Sequence, residues 1–160
     1  MAGGKILTYL AAKGKIESYC AYQERCQQEV RDKLYSWGLH SNEVENLIVE
    51  LITENFLNEE RFVLAYTSGR HRIKKWGKYK IKQGLKQRAI SDPLIRIALN
   101  SLDMDEYLST LQEILEKKAA SLRHLDRVKA YYQLVNYGLN KGYEKNLIID
   151  ILNDNDLQII

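Results

Sequence analysis

The sequence LYSWGL occupies residues 34–39, and related segments, LKQRAI and LVNYGL, occupy residues 85–90 and 134–139. Glycine, which readily adopts the positive φ at which many helices end, stands at residues 38 and 138 of the first and third segments. Each segment therefore predicts a helix that ends at residue 38, 89 or 138, an aliphatic residue that tucks under it, and a second helix. Ala89 is the least suited of the three, because a left-handed backbone costs alanine more than glycine.

The residues beyond each turn repeat as well. Three columns align them: Leu47, Ala98 and Leu147; Ile48, Leu99 and Ile148; Leu51, Leu102 and Ile151. Together with Val44, the first-repeat members have the i, i+3, i+4, i+7 spacing of an amphipathic helix. With one proline and nine glycines, the chain is predicted to be all-α, with three tandem three-helix repeats that form an elongated, curved modular body. A single helical bundle with a coincidental repeat is the alternative.

The predicted boundaries follow from this repeat and from the helix starts. They place an N-terminal extension at 1–14, the repeats at 15–56, 57–102 and 103–155, and a C-terminal tail at 156–160. The predicted helices run about 5–25, 26–37, 42–55, 58–73, 76–88, 92–101, 103–120, 122–137 and 141–154. The predicted N-caps are short polar residues followed by a first-turn acid or by a proline, namely Ser41, Asn58, Asp92 and Asp103.

Positive charge is concentrated in the middle of the chain. From Phe62 to Ser91 there are nine Lys and Arg residues and no acid, whereas the remaining residues include 15 bases and 21 acids, a net charge of −6. Like charges at this density repel one another and lower stability, so the segment indicates a polyanion or an acidic partner; a merely solvated face is the alternative. The predicted contact residues are Arg70, Arg72, Lys74, Lys75, Lys78, Lys82, Lys86 and Arg88.

Aromatic residues interrupt this basic segment. Trp76 and Tyr79 either stack on nucleic-acid bases or pack in the repeat core, which is the simpler interpretation because the apolar helix pattern continues after them. His71, between Arg70 and Arg72, is predicted to be exposed and to contact a phosphate or a partner rather than to act as a base.

Several classes of protein are excluded by what the sequence lacks. No run of about 18 apolar residues predicts a membrane span, and Lys13 and Lys15 interrupt the first apolar stretch, so no signal peptide is predicted. On one helix Cys20 and Cys26 would lie about 9 Å apart along the axis, too far for a disulfide, which predicts a reduced, cytoplasmic protein. No catalytic residue, metal site or cofactor is predicted, because the sequence contains no HExxH, GxxxxGK[ST] or GxGxxG pattern.

Three motifs, in chain order, resemble those of the RecX family of regulatory proteins. Residues 24–34 (ERCQQEVRDKL), followed by Gly38, resemble the family's Arg-Ser-x-x-Glu-Leu run that leads to Lys-Leu and a glycine. Residues 56–62 (FLNEERF), with Ala65, resemble its Leu-Asp/Asn-Asp-Glu-Arg-Phe/Tyr-Ala element. Residues 77–90 (GKYKIKQGLKQRAI) resemble its Gly-x-x-x-Ile-x-x-x-Leu-x-x-Lys-Gly-Ile motif.

The sequence departs from these motifs at three positions. Cys26 stands where the family has a Ser, as the N-cap of a capping box that Glu29 closes, and cysteine is the poorer cap. Arg88 and Ala89 replace the family's lysine and glycine. These departures concern the fold more than the role.

The resemblance implies a modulator of the RecA recombinase that acts in homologous recombination, DNA repair and the SOS response. Members of the family lie along the groove of the RecA–DNA filament and inhibit ATP hydrolysis, strand exchange and co-protease activity. The implied partners are the RecA filament and, more weakly, single- and double-stranded DNA, with no membrane. The chain is expected to be a monomer.

Two other functions are consistent with parts of the sequence. The first is a DNA-binding protein that acts independently of RecA, such as a transcription regulator, because the helix–glycine–helix units resemble helix-turn-helix pairs. Against it, the bases are spread over two helices, and the helix after Ala89 carries only Arg96. The second is a helical adaptor, which explains the repeat but not the basic segment.

Overall fold

A computed structural model describes residues 7–154, which form nine α-helices and no β-strand. The first repeat contains α1 (Tyr9–Tyr22), α2 (Gln27–Ser36) and α3 (Ser41–Thr53). The second contains α4 (Glu59–Arg72), α5 (Lys78–Gln87) and α6 (Asp92–Asn100), and the third contains α7 (Met104–Ala120), α8 (Arg127–Asn140) and α9 (Lys145–Asp154). The predicted all-α fold of three tandem three-helix repeats is confirmed.

The first repeat begins earlier than predicted. Thr8 caps α1, which starts at Tyr9, and Ala12 is fully buried, so residues 9–14 belong to the first repeat rather than to an extension. Residues 1–6 of the predicted extension and the predicted tail at 156–160 lie outside the described residues.

The second helix of every repeat ends in a Schellman turn, the device that the repeated segments predict. In these three turns the residues with positive φ are Gly38 (85°), Ala89 (56°) and Gly142 (96°). After each of them, a backbone N–H donates a hydrogen bond back to the fifth carbonyl before it. These bonds run from Leu39 to Leu34, from Ile90 to Leu85, and from Tyr143 to Gly138, at 3.4, 3.2 and 3.1 Å.

The predicted alignment of the third repeat is wrong by one helical turn. Gly138 lies inside α8, and the left-handed residue is Gly142, four positions later. The first column after the turn therefore contains Val44, Ile95 and Ile148, all of them buried. A four-residue shift keeps the same side chains on one face of a helix, so the apolar pattern alone does not expose it. In the other aligned positions, too, the third-repeat residue lies four positions later than predicted. Ile151 and Leu152 therefore align with Leu47 and Ile48.

The longer α8 depends on Gly138. A Cβ at Gly138 would lie 2.6 Å from Cδ1 of Ile148, so the absence of a side chain lets α9 pack against α8. The helix begins at Arg127 rather than near residue 122, with the Asp126 side chain as its cap.

Two of the four predicted N-caps are confirmed. The side chains of Asn58 and Asp103 each accept a hydrogen bond from the backbone N–H three residues later, at 3.0 and 2.9 Å. The caps predicted at residues 41 and 92 lie one residue earlier, at His40 and Ser91. The predicted capping box of α2 is present, with Cys26 as the N-cap and Glu29 as its partner.

Each repeat has its own hydrophobic core. Close packing between helices occurs within repeats, as in the pairs α2–α3, α4–α6 and α7–α8. Cys26 crosses this division, because it caps a helix of the first repeat and is buried in the core of the second. Representative core residues are Ile16, Leu34 and Leu47 in the first repeat, Phe62, Ile81 and Leu85 in the second, and Tyr107, Leu111 and Leu134 in the third.

Side-chain hydrogen bonds join the first repeat to the second. The Glu59 carboxylate accepts from the backbone N–H of Gln27 at 3.0 Å. The Arg61 guanidinium donates to Glu24 at 3.0 Å, and Arg88 donates to Glu29 at 3.3 Å. The start of α2 is therefore bound by groups of the following repeat.

A close backbone approach joins the second repeat to the third. Gly77 is the N-cap of α5, and its N–H donates to the carbonyl of Lys141 at 2.8 Å. The N–H of Tyr79 donates to the carbonyl of Gly142 at 2.9 Å, and the N–H of Lys78 donates to the Tyr107 hydroxyl at 3.0 Å. A Cβ at Gly77 would lie 2.4 Å from the carbonyl carbon of Gly142, so only glycine permits this approach.

Replacement Gly77→Ala should therefore lower the free energy of unfolding by about 1–3 kcal/mol, because the added methyl group forces the two repeats apart. Gly14→Ala is the matched control. Gly14 lies inside α1 and has no atom within 4 Å of its Cβ position, so this change should stabilise by about 0.5–1 kcal/mol. Urea denaturation measures the free energy of unfolding of each variant. Equal effects of the two substitutions would contradict the close approach of Gly77 to the backbone of Gly142.

Replacement Ala89→Gly should stabilise the protein by about 1 kcal/mol, because glycine removes the clash of the alanine Cβ at positive φ. The reverse change at the equivalent position, Gly38→Ala, should destabilise by a similar amount. Thermal unfolding of the two variants beside the unmodified chain measures the pair, and a lower melting temperature for Ala89→Gly would show that the turn is not strained.

Candidate nucleic-acid interface

The basic segment comprises the end of α4, the loop at 73–77, and α5. Four of the eight predicted contact residues, Arg72, Lys74, Lys82 and Lys86, are exposed, and Arg70, Lys75, Lys78 and Arg88 are half-buried. The segment therefore does not present one continuous face. Its charged groups divide into two clusters and a set of side chains that contact other repeats.

The first cluster surrounds Trp76. The cationic groups of Arg70, Lys74 and Lys80 lie 5.3, 5.8 and 5.0 Å from the centre of the indole ring. The ring itself is half-buried and packs against the core of the second repeat. Trp76 thus packs against the core, which was the simpler interpretation, with three cations over its ring, and stacking on nucleic-acid bases stays a prediction. We call these four residues the Trp76 cluster.

The second cluster is an exposed face of α5, formed by residues that recur every three or four positions. Tyr79 is 63% exposed, which is inconsistent with the core position that the apolar pattern favoured. It lies one turn before Lys82, and Lys86 follows one turn later. These side chains border a shallow surface depression together with Gln83 and Gln87. We call these five residues the α5 face; aromatic rings beside cations are one element of the grooves by which proteins bind single-stranded nucleic acid.

The other bases contact the protein itself. Arg72 lies 3.4 Å from the carboxylate of Glu106 in the third repeat. The guanidinium of Arg88 bonds to Glu29 and to the carbonyl of Gly84, and it lies 4.8 Å from the centre of the Tyr66 ring. The carbonyl of Lys75 accepts a hydrogen bond from the Tyr143 hydroxyl at 2.9 Å.

The prediction that His71 is exposed is wrong. Its side chain is buried with 2% exposure, and Nδ1 lies 2.9 Å from the carbonyl of Trp76. The imidazole stacks on the Tyr107 ring at 5.3 Å between centres, and Tyr107 in turn packs on Tyr143. This aromatic column connects the second and third repeats. No sequence pattern announces it, because its members lie 36 residues apart or more.

The hydroxyl of Tyr107 is part of the same connection. It donates to the carboxylate of Glu144 and accepts from the backbone N–H of Lys78. Burial, together with the hydrogen bond to Glu144, raises the pKa of Tyr107 well above its ordinary value, so the hydroxyl remains a donor across the physiological range. The Tyr107 hydroxyl thereby connects the Glu144 carboxylate to the first amide of α5.

Both cysteines are free thiols. They do not share one helix, as the predicted spacing assumed, because α1 ends at Tyr22 and Cys26 is the N-cap of α2. Cys20 and Cys26 are both buried, and burial raises the pKa of each thiol to about 11. Across residues 7–154, nowhere do three His, Cys, Asp or Glu side chains come together in a way that could hold a metal ion. No helix in that range combines the length and the apolar composition that a membrane span requires.

Sequence reasoning missed a groove between the first two repeats. Its floor is a face of α4, with Ala65, Gly69 and Ile73 in successive turns, and Glu24 and Arg70 lie at its edge. We call it the α4 groove. The apolar stripe that begins at Phe62 and continues through Ala65, Gly69 and Ile73 is the sequence signal that would have identified it.

Comparison with known proteins places these features in a family. A family profile described as the second three-helix domain of RecX matches residues 58–99, which is the basic repeat. Regulatory protein RecX of Clostridium tetani is 31% identical over 147 residues, which cover 91% of this chain and 67% of that protein. The chain belongs to the RecX family. Regulatory protein RecX of Clostridium acetobutylicum is 29% identical, over 91% of this chain and 69% of that protein.

Solved structures of RecX proteins share the fold. The crystal structure of RecX from Lactobacillus salivarius superposes with a TM-score of 0.82 and 23% identity, covering 95% of this chain and 97% of that one. A second crystal structure of a regulatory protein RecX gives a TM-score of 0.80 at 17% identity, over 91% of this chain and 73% of that one. At these identities the comparison establishes the fold alone.

The motifs by which the chain resembles RecX now have structural roles. Glu29 and Arg61, from the first and second motifs, hold the first two repeats together, and Gly77, from the third, permits contact with the last. The family signature in this chain is thus largely a signature of the joints between repeats. The charged surface that we assign to nucleic acid lies outside these joint residues.

We expect the pair of changes Lys82→Glu and Lys86→Glu to weaken binding to single-stranded DNA. Each phosphate contact contributes roughly 0.7 to the slope of log affinity against log salt, so loss of two contacts should flatten that slope by about 1.4. Fluorescence anisotropy of a labelled oligothymidine across a salt series measures it.

A charge-matched control separates a local contact from net charge. Lys117→Glu with Lys145→Glu alters two exposed lysines of the third repeat by the same charge, and should leave most of the affinity and the slope in place. Equal losses in the two double variants would show that the α5 face is not the contact.

Proposed function

We propose that the chain is a regulator of the RecA recombinase that binds the RecA–DNA filament and inhibits its ATP hydrolysis, strand exchange and co-protease activity. Membership in the RecX family supports this role, since relatives along nine tenths of the chain carry the name regulatory protein RecX. The proposed setting is the bacterial cytoplasm, in DNA repair by homologous recombination and in the SOS response. The chain acts by binding rather than as an enzyme.

The observation that carries the proposal is the α5 face on a rigid tandem array. Tyr79, Lys82 and Lys86 point outward from a helix whose start is bound by the third repeat. A filament repeats the same phosphates and protein surfaces along its length. A modular body of three repeats matches such a repeating partner because it contacts several subunits at once.

Inhibition follows from linkage between binding and filament dynamics. ATP hydrolysis in a filament accompanies rearrangement and turnover of its subunits. A ligand that bridges neighbouring subunits binds one filament state better than the others, and it therefore shifts the population toward that state. No catalytic group is needed for this effect.

A protein that binds DNA independently of RecA is the second candidate. The α5 face favours this second candidate, because an aromatic ring and lysines can bind DNA in the absence of RecA. The groups available on this face are one ring, two lysines and two glutamine amides, and α6, the helix that follows the turn, has Arg96 as its only basic residue. This is too small a set for a recognition helix that reads base edges.

The test measures RecA ATP hydrolysis on single-stranded DNA with and without the chain, beside binding of the chain to the same DNA alone. We expect inhibition at less than one chain per RecA subunit, with weaker binding to naked DNA. Lys82→Glu with Lys86→Glu should relieve the inhibition while circular dichroism shows unchanged helicity. Normal hydrolysis together with tight binding to naked DNA would establish the second candidate instead.

A further inference from the structure

The α4 groove has an apolar, open floor. It encloses about 430 Å³ between the first and second repeats. Phe62, Ala65, Tyr66, Gly69 and Ile73 form the floor, and the eleven residue steps along it correspond to about 16 Å of helix. Ile73 is 81% exposed, and no atom lies within 4 Å of a Cβ built at Gly69. The floor therefore leaves room for a chain to approach the backbone of α4.

The charges along the groove are unequal. The carboxylates of Glu24 and Glu29 are each paired, with Arg61 at 3.0 Å and Arg88 at 3.3 Å. Arg70 and Lys74 line the other end, and no carboxylate among the described residues lies within 4.0 Å of either cation. That end of the groove carries uncompensated positive charge beside the exposed Ile73.

The acceptors and donors in the groove distinguish a polypeptide from nucleic acid. Carboxylates and cations both line it, Glu24 and Glu29 at one end and Arg70 and Lys74 at the other, on either side of an apolar floor. A phosphodiester offers acceptors only, so it would leave the apolar floor and the carboxylate end of the groove without partners. A polypeptide offers amide donors and carbonyl or carboxylate acceptors together, and aliphatic side chains for an apolar floor.

We propose that the α4 groove binds a segment of the filament protein that places aliphatic side chains over Gly69 and Ile73 and a carboxylate at Arg70 and Lys74. This inference rests on the proposed function, and it assigns the nucleic acid and the protein of the filament to two different surfaces of the chain. The α5 face binds nucleic acid, and the α4 groove binds protein.

The test fills the groove without disturbing the fold. Gly69→Leu places a side chain over the floor, where no atom lies within 4 Å of the Cβ position, and leucine favours a helix more than glycine does. We expect affinity for the RecA filament to fall by about tenfold or more, while the melting temperature does not decrease and binding to oligothymidine is unchanged. Gly14→Leu, at the equally open position in α1, is the control and should behave as the unmodified chain.

A thiol footprint tests the occupant directly. Cys20 and Cys26 are buried, so a cysteine introduced at residue 69 or 14 is the reactive thiol of each variant. The RecA filament should slow maleimide labelling of Gly69→Cys and leave labelling of Gly14→Cys unchanged. Oligothymidine without RecA should protect neither.

Each remaining outcome overturns the inference. If Gly69→Leu inhibits the filament as the unmodified chain does and Gly69→Cys is labelled at the same rate with and without filament, the groove is not the protein contact, although the proposed function stands. If Gly69→Leu loses oligothymidine binding as well, or if oligothymidine protects Gly69→Cys, the groove binds nucleic acid. If the unmodified chain itself has no effect on the filament, the proposed function fails and the inference fails with it.

Discussion

The N-terminal amides of the second helix in each of the first two repeats are bound by the repeat that follows, and much of the structure depends on this. A helix leaves its first amides without partners. In α2 the amide of Gln27 is bound by Glu59 of the second repeat. In α5 the amides of the N-cap and of the first two helical residues are bound by groups of the third repeat. Neighbouring repeats therefore complete one another.

This arrangement explains why small residues occupy the N-caps. Cys26 and Gly77 stand twelve residues before Gly38 and Ala89, the left-handed residues at the ends of α2 and α5, and both are buried where the next repeat makes contact. The family's serine would cap α2 better than cysteine does. Cys26 instead provides a small apolar group to the core of the second repeat. In α8 the extra turn comes with an N-cap of its own, Asp126.

The same contacts compensate the charge of α5. Lysines in its first turn lie at the positive end of the helix dipole, where cations are unfavourable. The carbonyls of Lys141 and Gly142 and the hydroxyl of Tyr107 bind that end of the helix, and Glu144 lies directly behind the hydroxyl. The net negative charge of the residues outside the basic segment thus includes a carboxylate, that of Glu144, close to the start of α5. The basic helix is stable in a segment without acids, residues 62–91, because the next repeat supplies negative groups at the start of that helix.

Local signals predicted what local interactions determine. The Schellman turn at Ala89, the caps at Asn58 and Asp103 and the capping box of Cys26 depend on residues within a few positions of one another, and the structure contains them all. The one-turn error in the third repeat arose because a shift of four residues preserves the apolar face. The burial of His71 could not be predicted, because it is created by Tyr107 of another repeat. Likewise, the exposure of Tyr79 reflects which face of α5 the core leaves open.

Arg70 and Lys74 belong both to the Trp76 cluster and to the α4 groove, so binding of phosphate near Trp76 and binding of protein in the groove would draw on the same cations. A carboxylate bound at these cations would neutralise part of the positive potential that the same segment offers to phosphate. By linkage, phosphate bound near Trp76 would weaken the hold of the groove on an acidic segment to the same extent. The α5 face lies outside this overlap, since Lys82 and Lys86 line neither the groove nor the indole ring. A chain that must bind DNA and protein at once is therefore better served by the α5 face for phosphate, and the shared cations are better assigned to the protein side.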